Sequence, residues 1–264
     1  MIFKKIRKGH ADWRNFLCST PARDYVFQKD AYEDQIDRAA ENIRNADCVI
    51  IGAGAGASTA AGIQYGGKRF TDNFGEFIEK YGVHYMTDMY AAGFYPYPSE
   101  EAKWGYWSKH ALMNRFDPPA LPLYTKLYDI VKSKEYFVLT TNVDHQFYKA
   151  GFDEKRIFAT QGDYGKIQCQ KACHSKTYDA KELFRKMDEA RKDCLIPSEL
   201  VPKCPVCGGN MAMNLRCDNY FVEDEAWHEA ADRYACFLEQ NKDKKVVLLE
   251  LGVGFNTPII IAFL

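Results

Sequence analysis

The sequence shows no marked excess of one charge and no long apolar run. Its 35 Lys and Arg residues against 36 Asp and Glu residues give a formal net charge of −1. Nucleic acids and membrane surfaces usually bind a clustered basic excess, so we expect neither as a partner. No apolar run approaches the roughly 18 residues that a membrane-spanning helix needs.

A secretory signal is also missing at the start of the sequence. The segment MIFKKIRKGHADW is basic, but it lacks an apolar core and a small-residue cleavage site, so a cytoplasmic localisation is expected. An organelle presequence is the alternative to a basic, solvated helix start. Nine cysteines without a secretion signal favour metal binding over disulfides, because reducing compartments keep thiols reduced.

Three short apolar runs, at 48–51, 136–140 and 245–251, predict strands of a buried parallel sheet. The first run follows an amphipathic helix predicted over 33–45. It leads into the glycine-rich stretch GAGAGAS at 52–58, which is the order of a nucleotide-binding α/β unit. Further helices are predicted over 100–116, 121–132 and 222–239.

The glycine-rich stretch is typical of a turn whose backbone N–H groups approach a pyrophosphate. Tight backbone packing is the alternative explanation for these glycines. A P-loop is excluded, because Ala57-Ser58 stands where Gly-Lys-Ser/Thr is required. An ordinary dehydrogenase is disfavoured as well, since Asp72 lies at the right distance for a ribose-binding acid but follows GGKRFT, which is no strand.

Polar and glycine residues follow the second and third apolar runs. Asn142 and Asp144 come after the second run, and Gly252, Gly254 and Asn256 come after the third. Ligands of an open parallel sheet bind outside the carboxyl ends of its strands, so these residues are expected to meet at one crevice. Asp144 has an alternative role as the cap of the helix that follows.

Two cysteine pairs predict a structural zinc site. Cys169 and Cys173 are separated by three residues, Cys204 and Cys207 by two, and about thirty residues lie between the pairs. Four thiolates at these spacings can surround one zinc ion and leave no open position for chemistry. His174 in place of Cys173 as a ligand, or four unrelated buried thiols, are the alternatives.

The predicted fold class is α/β: a Rossmann-like parallel sheet flanked by helices, with a small zinc-binding module inserted. A chain of 264 residues, 47% hydrophobic and 14% aromatic, is large enough for such a fold. The segment 63–99 shows little periodicity and is predicted as a long ligand-covering loop with short helical pieces, such as 74–81. The predicted domains are an N-terminal extension (1–32), a Rossmann-like domain (33–165 and 217–264) and a zinc-binding module (166–216).

The motifs GAGAGASTAAGI, TTNVD and LGVGFNT and the two cysteine pairs follow one another in the order and spacing of a sirtuin. The stretches TTNVDHQF, TQGDYG, CHSKTYD and FVEDEAWHEAADRY more specifically resemble the macrodomain-linked microbial sirtuins, class M. This resemblance extends from about residue 30 to about residue 261. It implies that the Rossmann-like domain binds NAD.

The resemblance also implies a function, because class M sirtuins are protein ADP-ribosyltransferases. NAD would be the co-substrate, one zinc ion per chain would be structural, and the acceptor would be a lipoylated relative of the glycine-cleavage H protein. A partner macrodomain hydrolase would remove the mark. The implied NAD contacts are Gly52, Ala53, Gly54, Ala57, Ser58, Tyr65, Arg69, Phe70, Asn142, Asp144, Gln161, Gly252, Gly254 and Asn256.

Three residues are implied as catalytic: Asn142, Asp144 and Gln161. Ordinary sirtuins carry a His-Gly pair where this sequence has Gln161-Gly162, and their histidine is the general base of deacylation. An amide can form hydrogen bonds but cannot accept a proton near pH 7, so Gln161 is expected to orient a hydroxyl or the acceptor. Asp144 would supply negative charge to a cationic ribose, and Asn142 would hold the ribose or the carboxamide.

Two departures from ordinary sirtuins keep other functions open. Their Gly-Ile-Pro-Asp-Phe-Arg segment reads GIQY at 62–65, with Lys68-Arg69-Phe70 slightly later, so the nicotinamide-covering loop is expected to be remodelled. The sequence ends at TPIIIAFL, before a further strand of sirtuins. A deacylase with another base and a non-catalytic NAD-binding or interaction module are the alternatives. His145 is the residue most able to act as that base, although we expect it at a helix start facing solvent.

Overall fold

The computed structural model describes residues 31–254. The chain divides into two units, residues 1–45 and 46–264. Of the predicted extension 1–32, only residues 31 and 32 are described. The predicted NAD contact Asn256 lies outside the described residues.

The described part of the first unit is one helix, α1 (Tyr32–Arg44). It agrees with the helix predicted over 33–45 to within one residue at each end. Glu33 and Asp34 lie in its first turn and Arg44 in its last, an order of charges that complements the helix dipole.

The second unit contains two sheets and the remaining helices. Its strands are β1 (Cys48–Ala53), β2 (Glu135–Thr140), β3 (Ile157–Ala159), β4 (Gly162–Cys169), β5 (Thr177–Asp179), β6 (Met211–Leu215) and β7 (Val246–Leu251). Its α-helices are α2 (Ala55–Ala60), α3 (Gly67–Tyr81), α4 (Met89–Gly93), α5 (Glu100–Ala111), α6 (Pro122–Val131), α7 (Gln146–Lys149), α8 (Lys181–Ala190) and α9 (Glu225–Asn241). Leu112–Phe116 is a π-helical turn, and Glu154–Arg156 and Ser198–Leu200 are 3-10 turns. Within residues 31–254, no helix is both long and apolar enough to cross a membrane.

The larger sheet is parallel, with the strand order β3-β2-β1-β7. Ile50 of β1 lies opposite Phe137 of β2 on one side and Leu248 of β7 on the other. Because the strands run in one direction, β1, β2 and β7 end side by side at one edge. That edge is where open α/β sheets bind their ligands.

The strands of this sheet differ in burial. Every residue of β1 is buried, and β2 is buried from Tyr136 onward, as the apolar runs predict. The residues of β7 are mostly half-buried, although the prediction was burial on both faces. Edge position alone does not account for this, because β3 at the other edge of the sheet has Ile157 and Phe158 buried; an apolar run predicts a strand but not how far it is covered.

The smaller sheet is antiparallel, with the strand order β5-β4-β6. Its central strand β4 begins at Gly162, directly after the predicted catalytic Gln161, and ends at the predicted zinc ligand Cys169. β4 therefore connects the carboxyl edge of the parallel sheet to the cysteine cluster. Cys169 lies opposite Met211 of β6.

Helix α3 corrects the prediction of a long loop over 63–99. It starts at residue 67 rather than 74, and its Phe70, Phe74 and Phe77 are buried in an aromatic core against Tyr106 of α5. Their spacing of four and three residues is that of a helix face. Phe74 has non-helical dihedral angles, and this kink together with the glycines at 66, 67 and 75 obscures the pattern in the sequence.

Candidate functional site

Four polar side chains meet at the carboxyl edge of the parallel sheet. Asn142, after β2, donates from Nδ2 to Gly54 O at 3.0 Å, to Ser58 Oγ at 3.2 Å and to Tyr124 Oη at 3.2 Å. Ser58 also lies 2.7 Å from Tyr124 Oη and donates to the Asp144 carboxylate. All four side chains are buried. This polar cluster of Ser58, Tyr124, Asn142 and Asp144 joins the loops that follow β1 and β2.

The Asp144 carboxylate is held from two directions. One oxygen accepts the hydrogen bond from Ser58, and the other accepts one from the backbone N–H of Gln146 at 3.1 Å. Burial raises the pKa of Asp144 above its ordinary value, while the hydrogen bonds from Ser58 and Gln146 act in the opposite direction. Asp144 therefore accepts a hydrogen bond from the first residue of α7, whose N-cap position is His145, and it also belongs to the polar cluster.

Gln161 retains free hydrogen-bonding capacity. Its half-buried amide forms no hydrogen bond with any other residue of 31–254, whereas its backbone oxygen accepts from Arg216 N at 3.1 Å. The following residue, Gly162, has φ +96°, and a Cβ there would lie 1.9 Å from Asn214 O. Only glycine fits this position, so the path of the chain just after Gln161 is fixed. Gln161 lies two residues beyond the end of β3, at the same edge as the polar cluster.

The glycine-rich stretch packs closely against the end of β7. Gly54 N donates to Leu251 O and Gly56 N donates to Gly252 O, both at 3.0 Å. A Cβ on Gly54 would lie 2.7 Å from Gly252 O, and one on Gly56 would lie 2.7 Å from Gly252 Cα. Gly252 itself has φ +62°. Backbone packing alone thus requires glycine at these positions, whatever ligand the loop binds.

The other predicted nucleotide contacts near the glycine-rich stretch lie on β1, on α2 and beyond β7. Gly52 and Ala53 are buried at the end of β1, Ala57 lies buried in α2 beside Ser58, and Gly254 is exposed just beyond β7. Together with Gly54, Ser58 and Gly252 they bring half of the 14 predicted nucleotide contacts to one edge of the sheet.

The segment 64–70 is attached to the protein by Arg69. Its guanidinium donates to Asn114 Oδ1 at 2.8 Å, to Gln64 O at 2.9 Å and to Met113 O at 3.2 Å. Tyr65 donates to Tyr164 Oη at 3.0 Å. Phe70 is 1% exposed in the aromatic core. Arg69 thus fastens the segment to the π-helical turn, while Phe70 contributes to packing.

Three charged or titratable side chains, Arg115, His145 and Asp163, meet beside the loop after β2 and the start of β4. Asp163 accepts hydrogen bonds from Arg115 Nε at 2.8 Å and from His145 Nδ1 at 3.0 Å. Burial alone would raise the pKa of Asp163, but the hydrogen bond from His145 and the charge of Arg115 lower it to about 2. His145 precedes α7, as predicted, but it faces Asp163 and leaves 25% of its side chain exposed. The prediction of a solvent-facing His145 is therefore wrong, because the half-buried Asp163 carboxylate binds the ring.

The four predicted zinc ligands converge on one point. The sulfur atoms of Cys169, Cys173, Cys204 and Cys207 all lie within 4.8 Å of one another. Cys169 and Cys207 Sγ are 3.7 Å apart, and Cys173 and Cys204 Sγ are 3.6 Å apart. Four Zn–S bonds of about 2.3 Å in a tetrahedron separate the sulfurs by about 3.8 Å. The donor set fits one zinc ion with no open position.

His174 contacts this centre without joining its donor set. Its Nδ1 accepts from the backbone N–H of Lys176 at 3.1 Å, which leaves the proton on Nε2. Nε2 lies 3.4 Å from Cys204 Sγ and 3.3 Å from Tyr178 Oη, so both the thiolate and the phenol oxygen lie within reach of its proton. His174 therefore supports a zinc ligand instead of replacing one.

Similarity to known proteins places the chain in a family. No protein-family model matches the sequence. A protein ADP-ribosyltransferase of Staphylococcus aureus is 41% identical over 230 residues, which cover 85% of this chain and 72% of that protein. The chain belongs to the protein ADP-ribosyltransferases. A probable bifunctional ADP-ribose hydrolase/ADP-ribosyltransferase of Fusarium oxysporum is 30% identical over 86% of this chain, which spans 38% of that longer protein.

The fold of this ADP-ribosyltransferase is that of the sirtuins. A solved structure of a Sir2 enzyme superimposes with a TM-score of 0.52 at 19% identity, covering 88% of this chain and 82% of its own. An NAD-dependent protein deacetylase of Clostridium perfringens is 28% identical over 67% of this chain and 64% of its own length. The predictions of a sirtuin-type ADP-ribosyltransferase and of a Rossmann-like α/β fold are confirmed.

Several residues of this candidate site carry no pattern that sequence reasoning could find. Tyr124 enters the polar cluster from α6. Asn114 and Arg115 lie on the π-helical turn, where Asn114 binds Arg69 and Arg115 binds Asp163. Asp163 lies in the motif TQGDYG, and no other feature of the sequence marks it as part of a site. The others carry no local signal, because each meets its partner from a distant part of the chain.

Proposed function

We propose that this protein transfers ADP-ribose from NAD to a protein acceptor, a lipoylated relative of the glycine-cleavage H protein. The observation that carries the proposal is the Gln161 amide at the carboxyl edge of the sheet, where ordinary sirtuins have a catalytic histidine. An amide can orient a reacting group there but cannot act as the base of deacylation near pH 7. ADP-ribosyl transfer has less need of that base.

The chemistry depends on a bond that breaks readily once it is positioned. When the bond between C1′ of the ribose and nicotinamide breaks, nicotinamide leaves with the electron pair and the ribose becomes oxocarbenium-like. Such a cation is stabilised by fixed negative charge and by hydrogen bonds more than by a strong base. Asp144 is the carboxylate of the polar cluster. Ser58 and the backbone N–H of Gln146 hold it, and Asn142 in turn donates to Ser58.

Two neutral groups have capacity left for ligands. The Asn142 Nδ2 group is fully used within the protein, but its Oδ1 receives no hydrogen bond from residues 31–254. The Gln161 amide is likewise without a partner in that part of the chain. We assign Asn142 Oδ1 to the ribose or carboxamide of NAD and Gln161 to the ribose hydroxyl or the incoming acceptor.

The identity of the acceptor rests on the resemblance to class M sirtuins. A partner macrodomain hydrolase that removes the mark belongs to the same proposal. The Fusarium relative, whose name combines an ADP-ribose hydrolase with an ADP-ribosyltransferase, supports pairing the two activities.

Intact-mass spectrometry of the acceptor tests the proposal. The protein is incubated with NAD and a lipoylated H-like carrier, and the carrier should gain one ADP-ribosyl group. The same carrier without lipoate is the matched control and should gain none. Release of acyl groups from an acyl-lysine peptide without any gain of mass by the carrier would instead establish the deacylase alternative.

A further inference from the structure

The Asp163 carboxylate is the meeting point of several donors. Its Oδ1 accepts from Arg115 Nε at 2.8 Å and from Gly165 N at 2.6 Å. Its Oδ2 accepts from His145 Nδ1 at 3.0 Å and from Arg115 Nη2 at 3.4 Å. The Asp163 side chain is 18% exposed and that of Arg115 14%. A carboxylate with this many donors is held in one orientation.

The donor His145 and Asp163 itself belong to the two loops that carry the proposed reaction residues. His145 directly follows Asp144, and Asp163 is two residues after Gln161. One backbone hydrogen bond also joins the two loops, from Tyr164 N to Val143 O at 3.0 Å. A movement of either loop would therefore break the contacts of Asp163.

His145 is held in an unfavourable backbone conformation. Its φ is +65°, in the left-handed region that costs energy for residues other than glycine. Its ring stacks on Tyr148 with centroids 3.9 Å apart, and its Nδ1 is bound by Asp163. Strain of this kind persists only where the surroundings fix the residue, and it is concentrated at functional sites.

We propose that Asp163 is a positioning residue for the transfer reaction, which holds the Asp144 loop and the Gln161 loop in one arrangement through His145, while Arg115 fixes the orientation of its carboxylate. The charge of Asp163 persists throughout the neutral range, because its neighbours lower its pKa to about 2. The alternative is an internal ion pair that stabilises the fold without effect on the reaction. The kinetic part of this inference rests on the proposed function.

Three variants and a control separate these roles. Asp163→Asn keeps the shape of the side chain but removes its charge. His145→Gly removes the ring and accepts the positive φ, whereas His145→Asn tolerates that φ and keeps a polar group that can reach Asp163. Arg185→Ala, which breaks an exposed ion pair with Asp117, is the control.

Two readouts are taken on the full-length protein. The first is the hydrogen exchange of the Tyr164 amide, whose bond to Val143 O joins the two loops. The second is the kcat and the NAD KM for transfer to a lipoylated carrier. We expect Asp163→Asn and His145→Gly to accelerate that exchange and to lower kcat at least tenfold, with the KM changed less than threefold. His145→Asn should recover part of kcat, and Arg185→Ala should change neither readout.

Each remaining outcome decides against one of the two proposals. If the Tyr164 amide exchanges at the wild-type rate in both Asp163→Asn and His145→Gly, Asp163 does not join the two loops. Faster exchange with wild-type kcat leaves Asp163 as a structural residue only and overturns its role in the reaction. A wild-type protein that transfers no ADP-ribose, with exchange still accelerated in both variants, contradicts the proposed function but leaves the joining of the loops intact.

Discussion

Ser58 donates a hydrogen bond to the Asp144 carboxylate, so helix α2 and the loop after β2 are held together by side chains. Asn142 reinforces this connection by donating to both Ser58 Oγ and Gly54 O. The polar groups are thus oriented before any ligand binds. Preorganisation of this kind is what lets fixed charges and dipoles stabilise a transition state without rearrangement.

Two variants of Asp144 distinguish a helix cap from a catalytic charge. Asp144→Asn keeps an oxygen for the Gln146 N–H, and Ser58 can turn its own hydrogen to Tyr124 Oη. Since burial raises the pKa of Asp144, ionisation above that pKa costs stability, which the amide avoids. We expect an unchanged or higher melting temperature together with roughly a hundredfold slower transfer, or about 3 kcal/mol of barrier.

Asp144→Ala should slow transfer as much and also lose about 1 kcal/mol of stability, because the capping oxygen is gone. Melting temperatures and transfer rates of both variants are measured side by side. Near wild-type transfer by both would mean that Asp144 serves only as a cap.

Local patterns in the sequence account for most of the fold. The apolar runs at 48–51, 136–140 and 245–251 lie within β1, β2 and, apart from its first residue, β7, because a buried strand is a short stretch of apolar residues. The cysteine spacing also predicts the metal centre from local information, because the two cysteines of each pair are only three or four positions apart in the sequence. Helix α3 was missed because glycines and a kink interrupt its pattern.

The site could be predicted only in part. Asn142 and Asp144 are marked by their place after a strand, but the partners that hold them come from far along the chain. Tyr124 reaches Ser58 across 66 residues, and Arg115 reaches Asp163 across 48. No local pattern encodes such contacts, because tertiary packing creates them.

Changing Gln161 to histidine should not produce an efficient deacylase. A base acts only within hydrogen-bonding distance of its proton, and the segment 64–70 is fastened to the π-helical turn by Arg69 in this protein. We expect acyl-lysine hydrolysis by Gln161→His to remain at the level of the Gln161→Ala control. Vigorous hydrolysis by the single variant would show that the segment does not limit deacylation.

The stability conferred by Asp163 should disappear in acid. Its pKa falls from 3.8 to about 2 on folding, so the carboxylate stabilises the fold above pH 4 and this contribution is lost as the pH falls through 2. A shift of this size corresponds to roughly 2 kcal/mol. The stability difference between wild type and Asp163→Asn should therefore shrink as the pH falls below 4.

Denaturant unfolding at several pH values measures this difference, and any release of zinc in acid affects both proteins alike. Asp117→Asn, which breaks the exposed pair with Arg185, is the control and should differ little from wild type at any pH. A difference between wild type and Asp163→Asn that does not depend on pH would rule out the ionised carboxylate as its source.

The cysteine cluster should bind one zinc ion per chain, and the ion should be needed for folding. Backbone N–H groups lower the pKa of Cys169 and of Cys204, which favours the thiolates that zinc requires, whereas burial and the neighbouring thiols raise the pKa of Cys173. Four thiolates occupy every position of the tetrahedron, so the ion is expected to stabilise the structure without taking part in transfer. Metal analysis of native, unoxidised protein should therefore find stoichiometric zinc, and a strong chelator should lower the melting temperature.

Cys204→Ser removes one ligand and should lower both the zinc content and the melting temperature. Cys236→Ser is the matched control, because Cys236 is an exposed residue of α9 outside the cluster. His174→Ala tests the neighbouring contact: it should weaken zinc binding by roughly 10- to 100-fold without abolishing it, as expected for a group that supports a ligand. Loss of zinc from His174→Ala as complete as from Cys204→Ser would make His174 a ligand. Substoichiometric zinc in the wild-type protein would contradict a structural site altogether.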